Sequence, residues 1–244
     1  MIDYQLTPWD TKSLGLKTAE YKFLKNPSAT IQEWKDEIIK LEDRIKSEKV
    51  NFVFTRINSN NKKARVALQS QGYYFTECSQ RVIIRNLKKF KSKKLPKITF
   101  KNYIEEDLEE IKLIAKNSFD FSRFHEDISI TEKKARLRYY YWIDDLVKQK
   151  TDIKVAKVGR NIVGFSAQTI KNKKENVQLL LAGCKKGKEV FAMSLWNEIL
   201  NYNKAIRTNS IEAIISASNI GIANLYSNFG FKIEETFFGF HKHL

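Results

Sequence analysis

The segment Ser218-Asn219-Ile220-Gly221-Ile222-Ala223-Asn224-Leu225-Tyr226-Ser227-Asn228-Phe229-Gly230-Phe231 carries the most specific local instructions in the sequence. Asn219 stands where a side-chain carbonyl can accept a backbone N–H from the first turn of a following helix, which is what an N-cap does. Gly230 supplies the left-handed conformation that ends such a helix, and Phe231 returns to the core as the next strand begins. Tyr226 falls one turn before that exit, where its hydroxyl can reach a cleft or be satisfied inside the core. The segment therefore reads as strand, helix, strand, with a strand over 211–216 before it and the last two strands over 231–240.

Apolar periodicity extends this unit upstream. Residues 98–103 alternate like a strand, and Leu108, Ile111, Leu113, Ile114 and Ala115 repeat at helical spacing. Thr131 is an N-cap candidate ahead of Ala135, Tyr139, Trp142, Ile143 and Leu146, three or four apart. Strands follow over 153–158, 162–170 and 177–184, the first two joined by the hairpin signal Gly159-Arg160-Asn161. The third is nearly continuous in apolar residues, as suits a strand covered on both faces. A helix with Phe191, Leu195 and Ile199 on one face completes the order β-α-α-β-β-β-α-β-α-β-β. That order predicts an α/β fold of the α+β kind: a mixed, largely antiparallel sheet flanked by helices.

The motif has an echo. Shifting the sequence by 158 residues lays Asn61, Ala64, Gly72 and Tyr73 on Asn219, Ile222, Gly230 and Phe231, with Leu68 in place of Tyr226. The N-terminal part thus reads as a partial second copy without the tyrosine. Residues 85–101 carry Arg85, Lys88, Lys89, Lys91, Lys93, Lys94, Lys97 and Lys101, no acid, and Pro96, a composition that solvates well and packs poorly. They read as a linker, dividing the chain into an N-terminal partial domain with its basic linker, 1–95, and a main domain, 96–244.

Composition bounds the rest. The 244 residues are 42% hydrophobic and 30% charged with 9 Gly and 3 Pro, a globular composition that excludes disordered, fibrous and miniprotein classes. Lys+Arg 44 against Asp+Glu 28 gives +16, which favours polyanionic partners, from nucleic acid to phosphorylated small molecules. Two cysteines and three histidines leave no disulfide framework and no expected metal site. The first residues show no targeting signal and no apolar run approaches the ~18 residues of a membrane span, so the cytoplasm is the expected location.

The strand-helix-strand motif resembles the signature of the GNAT superfamily of acyl-CoA N-acyltransferases, carried here by Asn219, Leu225, Tyr226, Gly230 and Phe231; Ile222 replaces the usual small residue. The resemblance makes the N-terminal part a GNAT-like half and implies acetyl-CoA as co-substrate. It implies Tyr226 as the general acid that protonates the departing thiolate. It also implies that Leu180, Leu181 and Ala182 lend backbone to the pantetheine arm, with Asn219 beside it. The pyrophosphate loop expected after that strand reads Lys186-Gly187-Lys188-Glu189-Val190-Phe191. Gly187, Lys186 and Lys188 suit two phosphates, whereas Glu189 and Phe191 stand where small residues are expected.

On the acceptor side, Ser122-Arg123-Phe124-His125-Glu126-Asp127 and Trp9-Asp10-Thr11-Lys12-Ser13-Leu14-Gly15 resemble segments of the dTDP-fucosamine acetyltransferase group. That implies an amino-deoxy sugar on a nucleotide diphosphate as acceptor, with Phe121 stacking, Arg123 on the diphosphate and Asp127 on hydroxyls or the amine. His125 qualifies as a base by residue type alone, and no base is assigned. A peptide or small-molecule amine as acceptor, and a binding module with impaired CoA binding, remain open alternatives. A nucleic-acid partner and a membrane span are not expected, and a homodimer is left open.

Overall fold

The computed structural model describes residues 2–24, 28–171 and 175–244. The elements are β1 (Ile2–Leu6), α1 (Pro8–Leu14), β2 (Thr18–Phe23), α2 (Ile31–Ser47), β3 (Phe52–Asn58), α3 (Lys62–Ser70) and β4 (Tyr74–Ile84). After the basic stretch come β5 (Thr99–Asn102), α4 (Leu108–Ser118), α5 (Glu132–Lys148), β6 (Asp152–Val158), β7 (Asn161–Lys171) and β8 (Asn176–Cys184). The chain ends with α6 (Ala192–Ala205), β9 (Ser210–Ser216), α7 (Ile220–Asn228) and β10 (Lys232–His243). Among the described residues, no helix is long and apolar enough to cross a membrane.

The local instructions act as written. The Asn219 side chain accepts the Ile222 N–H at 3.0 Å, and the Asn61 side chain accepts the Ala64 N–H at 3.2 Å. Both helices leave through a left-handed glycine, Gly72 at φ 79° and Gly230 at φ 84°. The hydrogen bonds after these exits match as well, Tyr73 N–H to Leu68 O and Phe231 N–H to Tyr226 O, each 3.1 Å. The echo extends well beyond these turns: β3, α3 and the end of α2 lie 158 residues before β9, α7 and the end of α6.

All strands form one sheet in the order β1-β2-β3-β10-β4-β9-β8-β7-β6-β5. The last strand of each half is exchanged, since β10 runs antiparallel to both β3 and β4 while β4 pairs with β9. This local twofold relation corrects the expectation of two strands over 231–240. β10 is a single strand with partners on both sides, and register shifts at Ile233/Glu235 and Gly239/Phe240 take up the irregularity a turn would have absorbed. A Cβ at Gly239 would come 2.7 Å from the Glu77 Cγ, so this row of the sheet tolerates no side chain in β10.

α2, α3, α6 and α7 cover one face of the sheet and α1, α4 and α5 the other; Val53 and Ile57 of β3 join the first core while Phe52 and Phe54 join the second. Helix α5 begins after Thr131, although the hydroxyl makes no capping bond. The basic stretch is packed rather than solvated. Leu87 is fully buried, Phe90, Leu95 and Ile98 pack against the core under α6 and α7, and Ser194 donates its hydroxyl to Pro96 O at 2.9 Å. The apolar residues spaced between the lysines hold it down and leave the charges outside.

Candidate active site

The site begins where two parallel strands part. β8 and β9 are paired from Asn176↔Ser210 to Leu179↔Ala213 and then part, β8 running on beside β7 to Cys184 and β9 beside β4 to Ser216. Leu180 is an extra residue against β7, where Gln168 pairs with Leu179 and Ala167 with Leu181. The bulge re-aims the strand at the apex of the wedge and frees backbone groups that need a partner. A cavity of about 1010 Å³ opens here. Of the residues expected at the donor end, Leu180, Leu181, Ala182, Lys186, Asn219 and Tyr226 lie on its wall, whereas Gly187 and Lys188 do not.

Tyr226 is 4% exposed, packed edge-on against Trp196 and Phe231 with ring centroids 5.8 and 4.7 Å away. Burial pushes its phenol above the ordinary value, and the opposing influence of Trp196 does not overcome it. The hydroxyl is therefore protonated throughout the neutral range, as a proton donor must be. Cys184 also lines the cavity, but burial pushes its thiol up to about 12, with Glu189 adding to the effect. It is a thiol rather than a thiolate nucleophile at neutral pH.

The turn that precedes α6 is closed on itself. Gly187 sits at φ 80°, and its N–H donates to the Glu189 carboxylate at 2.9 Å. The amides of Glu189 and Gly187 hold that carboxyl below the usual range, so the anion-binding position of the turn already contains an anion. Lys185 is paired with Glu110 at 2.7 Å.

At the other end of the cavity the loop after α4 brings Phe121 and Arg123 to the wall. Arg123 is 7% exposed, its guanidinium 4.1 Å over the Phe54 ring and 4.8 Å from Phe124. Burial, reinforced by Arg56 and Arg138, pushes its pKa down to about 10, which still leaves it charged at neutral pH. Among the described residues it has no hydrogen bond or ion pair, and its Nε is buried without a partner.

Asp127 corrects an expectation, for the structure turns it away from the cavity. It is 1% exposed, and its carboxylate meets His241 Nδ1 at 2.6 Å, the Tyr74 hydroxyl at 2.9 Å and the Ser129 N–H at 2.8 Å. Burial opposes the charge, but the hydrogen bonds from His241 and Ser129 hold the carboxyl far below its ordinary value. With its oxygens engaged by the protein, Asp127 fastens the loop to β10. His125 is likewise engaged, with Nδ1 2.9 Å from the Ser122 hydroxyl.

Four charged contributors were not visible as site residues in the sequence. Asp10 and Arg138 line the cavity and pair at 2.5 Å, joining α1 to α5. Arg56 of β3 reaches across Gly239 to Glu77 of β4 at 2.6 Å, both also on the wall. Their partners lie far apart in sequence, and only the dipeptide Trp9-Asp10 offered a signal.

No family model matches the sequence, and no curated protein matches it. Solved structures do. A GCN5-related N-acetyltransferase from Sphaerobacter thermophilus aligns with TM-score 0.68 and 12% identity over 99% of this chain and 76% of that one. A tandem GNAT protein from the clavulanic acid biosynthesis pathway aligns with TM-score 0.59 and 8% identity over 94% and 71%. A fungal chain described as a GCN5-related glucosamine N-acetyltransferase region within a multi-domain β-N-acetylglucosaminidase aligns with TM-score 0.68 and 10% identity over 99% of this chain and 31% of that one. The fold is therefore that of the GCN5-related N-acetyltransferases. One sheet runs through both halves of the chain, and the β8–β9 wedge lies in the C-terminal one.

Proposed function

We propose that the chain is an N-acetyltransferase that moves acetyl from acetyl-CoA to the amine of a nucleotide-linked amino-deoxy sugar. The observation that carries this reading is one cavity joining the β8–β9 wedge to an unpartnered, buried guanidinium at Arg123. An acceptor with an anionic group beyond its amine satisfies both ends, whereas a cationic peptide would meet a guanidinium with no ion pair of its own at Arg123. The fungal glucosamine N-acetyltransferase region shares the fold, which agrees with an amino-sugar acceptor.

Acetyl-CoA supplies a thioester as acyl donor and a thiol as leaving group. The backbone of Leu180, Leu181 and Ala182, on the side that β9 has left, would hold the pantetheine arm, and an N–H near Ala182 would polarise the carbonyl. Tyr226 holds the proton that a departing thiolate takes up, and a protonated Cys184 favours direct attack by the amine over a cysteine-bound intermediate. Phe121 offers an aromatic face and Arg123 a fork for a diphosphate.

The closed turn at Gly187 and Glu189 favours a second reading, a GNAT-fold binding module that takes CoA poorly. Titration with acetyl-CoA, followed by a mass-shift screen against nucleotide-linked amino sugars, separates the two. Acetylated product supports the enzyme, and a protein that binds no acetyl-CoA removes it.

A further inference from the structure

The distal end of the cavity contains a second orphan beside Arg123. Asp10 is fully buried; its Oδ1 accepts from Arg138 Nε at 2.5 Å, while its Oδ2 is buried with no partner among the described residues. Asp10 and Arg123 belong to one cluster, since the Arg138 and Arg123 guanidinium groups lie 4.9 and 4.8 Å from the same Phe124 ring. A buried carboxylate oxygen left unpaired is costly, and a ligand that binds here recovers that cost.

Charge decides what kind of group fits. Asp10 is paired with Arg138 and Glu77 with Arg56, and Glu20 also lines this wall, whereas Arg123 has no ion pair of its own among the described residues and offers its donors to an oxygen group. The Arg138 guanidinium already on Asp10 disfavours an ammonium there and favours a neutral hydrogen-bond donor. The sheet order gives the distance: Phe54, under Arg123, is on β3, three strand positions from β9. At ~4.8 Å per strand the cluster stands ~14 Å from the wedge.

We infer that Asp10 and Arg123 form a two-point recognition site for the far end of the acceptor, an anionic oxygen group that carries a neutral hydroxyl or N–H donor nearby. Arg123 takes the anion and the Asp10 Oδ2 takes the donor. Asp10 comes from the N-terminal half, which thereby supplies selectivity to chemistry performed in the other half. The inference rests on the acyl-transfer reading only for which end of the ligand is the amine.

Isothermal titration with uridine diphosphate, inorganic pyrophosphate and uridine tests it. Uridine diphosphate offers the anion and the donors, pyrophosphate only the anion, and uridine only the donors. The wild type is expected to bind uridine diphosphate more tightly than pyrophosphate and to bind uridine hardly at all. Arg123→Gln should abolish binding of both anions. Asp10→Asn keeps an oxygen for Arg138 but presents an NH₂ to the ligand; it should weaken uridine diphosphate about tenfold while pyrophosphate binds no more weakly than before, because the lost carboxylate charge leaves Arg138 to attract an anion. Unchanged uridine diphosphate affinity would mean water alone serves Oδ2, and an equal fall for both anions would reduce Asp10 to a support for Arg138. Either result overturns the proposal, as does a wild type that binds neither anion. Acetyl-CoA titrated into the same proteins should be unaffected by Asp10→Asn. If acetyl-CoA fails to bind while uridine diphosphate binds as described, the acyl-transfer reading falls and this site stands.

Discussion

The Gly187 N–H and the Glu189 carboxylate are 2.9 Å apart, so the turn before α6 satisfies its own anion site. An incoming pyrophosphate finds the amides occupied and must displace a carboxylate. Because those amides hold the Glu189 carboxyl below its ordinary value, the side chain stays charged through the whole neutral range. Glu189→Ala is therefore expected to tighten acetyl-CoA binding several-fold, with no gain for acetyl-pantetheine, which lacks the pyrophosphate. Comparing the two ligands by titration checks this, and weaker acetyl-CoA binding in the variant would show that Glu189 supports the donor instead.

Tyr226 is raised by burial, and a raised acid stays protonated up to its own pKa. No decline in kcat from this group is expected below about pH 10, the ordinary phenol value. Tyr226→Phe should lower kcat by about a hundredfold or more, the usual weight of a general acid, while the dissociation constant for acetyl-CoA hardly moves. Steady-state kinetics beside direct titration would decide it; a variant as active as the wild type would return Tyr226 to the core.

Much of this was legible in the sequence because caps and left-handed exits are local. Asn219, Gly230, Asn61 and Gly72 each act on residues a few positions away, and the wedge strand around Leu181 announced itself by continuous apolarity. What depends on distant partners was not legible. Asp127 looked like a binding carboxylate because its partner His241 is 114 residues off, and Asp10 received no role of its own because Arg138 is 128 residues away. The strand exchange of β4 and β10 has no local signature, since either strand alternates equally well beside its own half. In the basic stretch the lysines outweighed Leu87, Phe90, Leu95 and Ile98, although burial of those four decides how it lies.

The Asp127–His241 pair makes the loop over the cavity sensitive to acid. Burial holds the His241 imidazole below its ordinary value, so the folded protein binds fewer protons there than the unfolded chain, and stability falls as pH drops below about 6.5. Asp127 is lowered too, so its contribution is present above about 3.9 and is lost as pH falls further. Unfolding midpoints in urea should decline in those two steps. Asp127→Asn, which leaves His241 with a weaker partner, should cost about 1–3 kcal/mol and remove the lower step. A stability profile flat from pH 7 to 4 would contradict the assignment.

The N-terminal half has the same parallel pairing, from Thr18↔Phe52 to Tyr21↔Thr55, but different residues at the point where the strands part. Its β2 shows no register shift against β1, and Thr55 donates its hydroxyl to Tyr21 O at 2.8 Å, where the equivalent Ala213 has no hydroxyl. Trp34, 1% exposed and 5.2 Å from the Phe23 ring, stands 158 residues before Ala192, which lines the cavity in the other half. One acetyl-CoA per chain is the expected stoichiometry. Trp34→Ala empties a core position and should destabilise the protein by about 3–5 kcal/mol, read from urea unfolding. It should not create a second donor site, because the Thr55 bond and the regular β2 remain. Two equivalents of acetyl-CoA bound to the variant would show that the tryptophan alone keeps the second wedge shut.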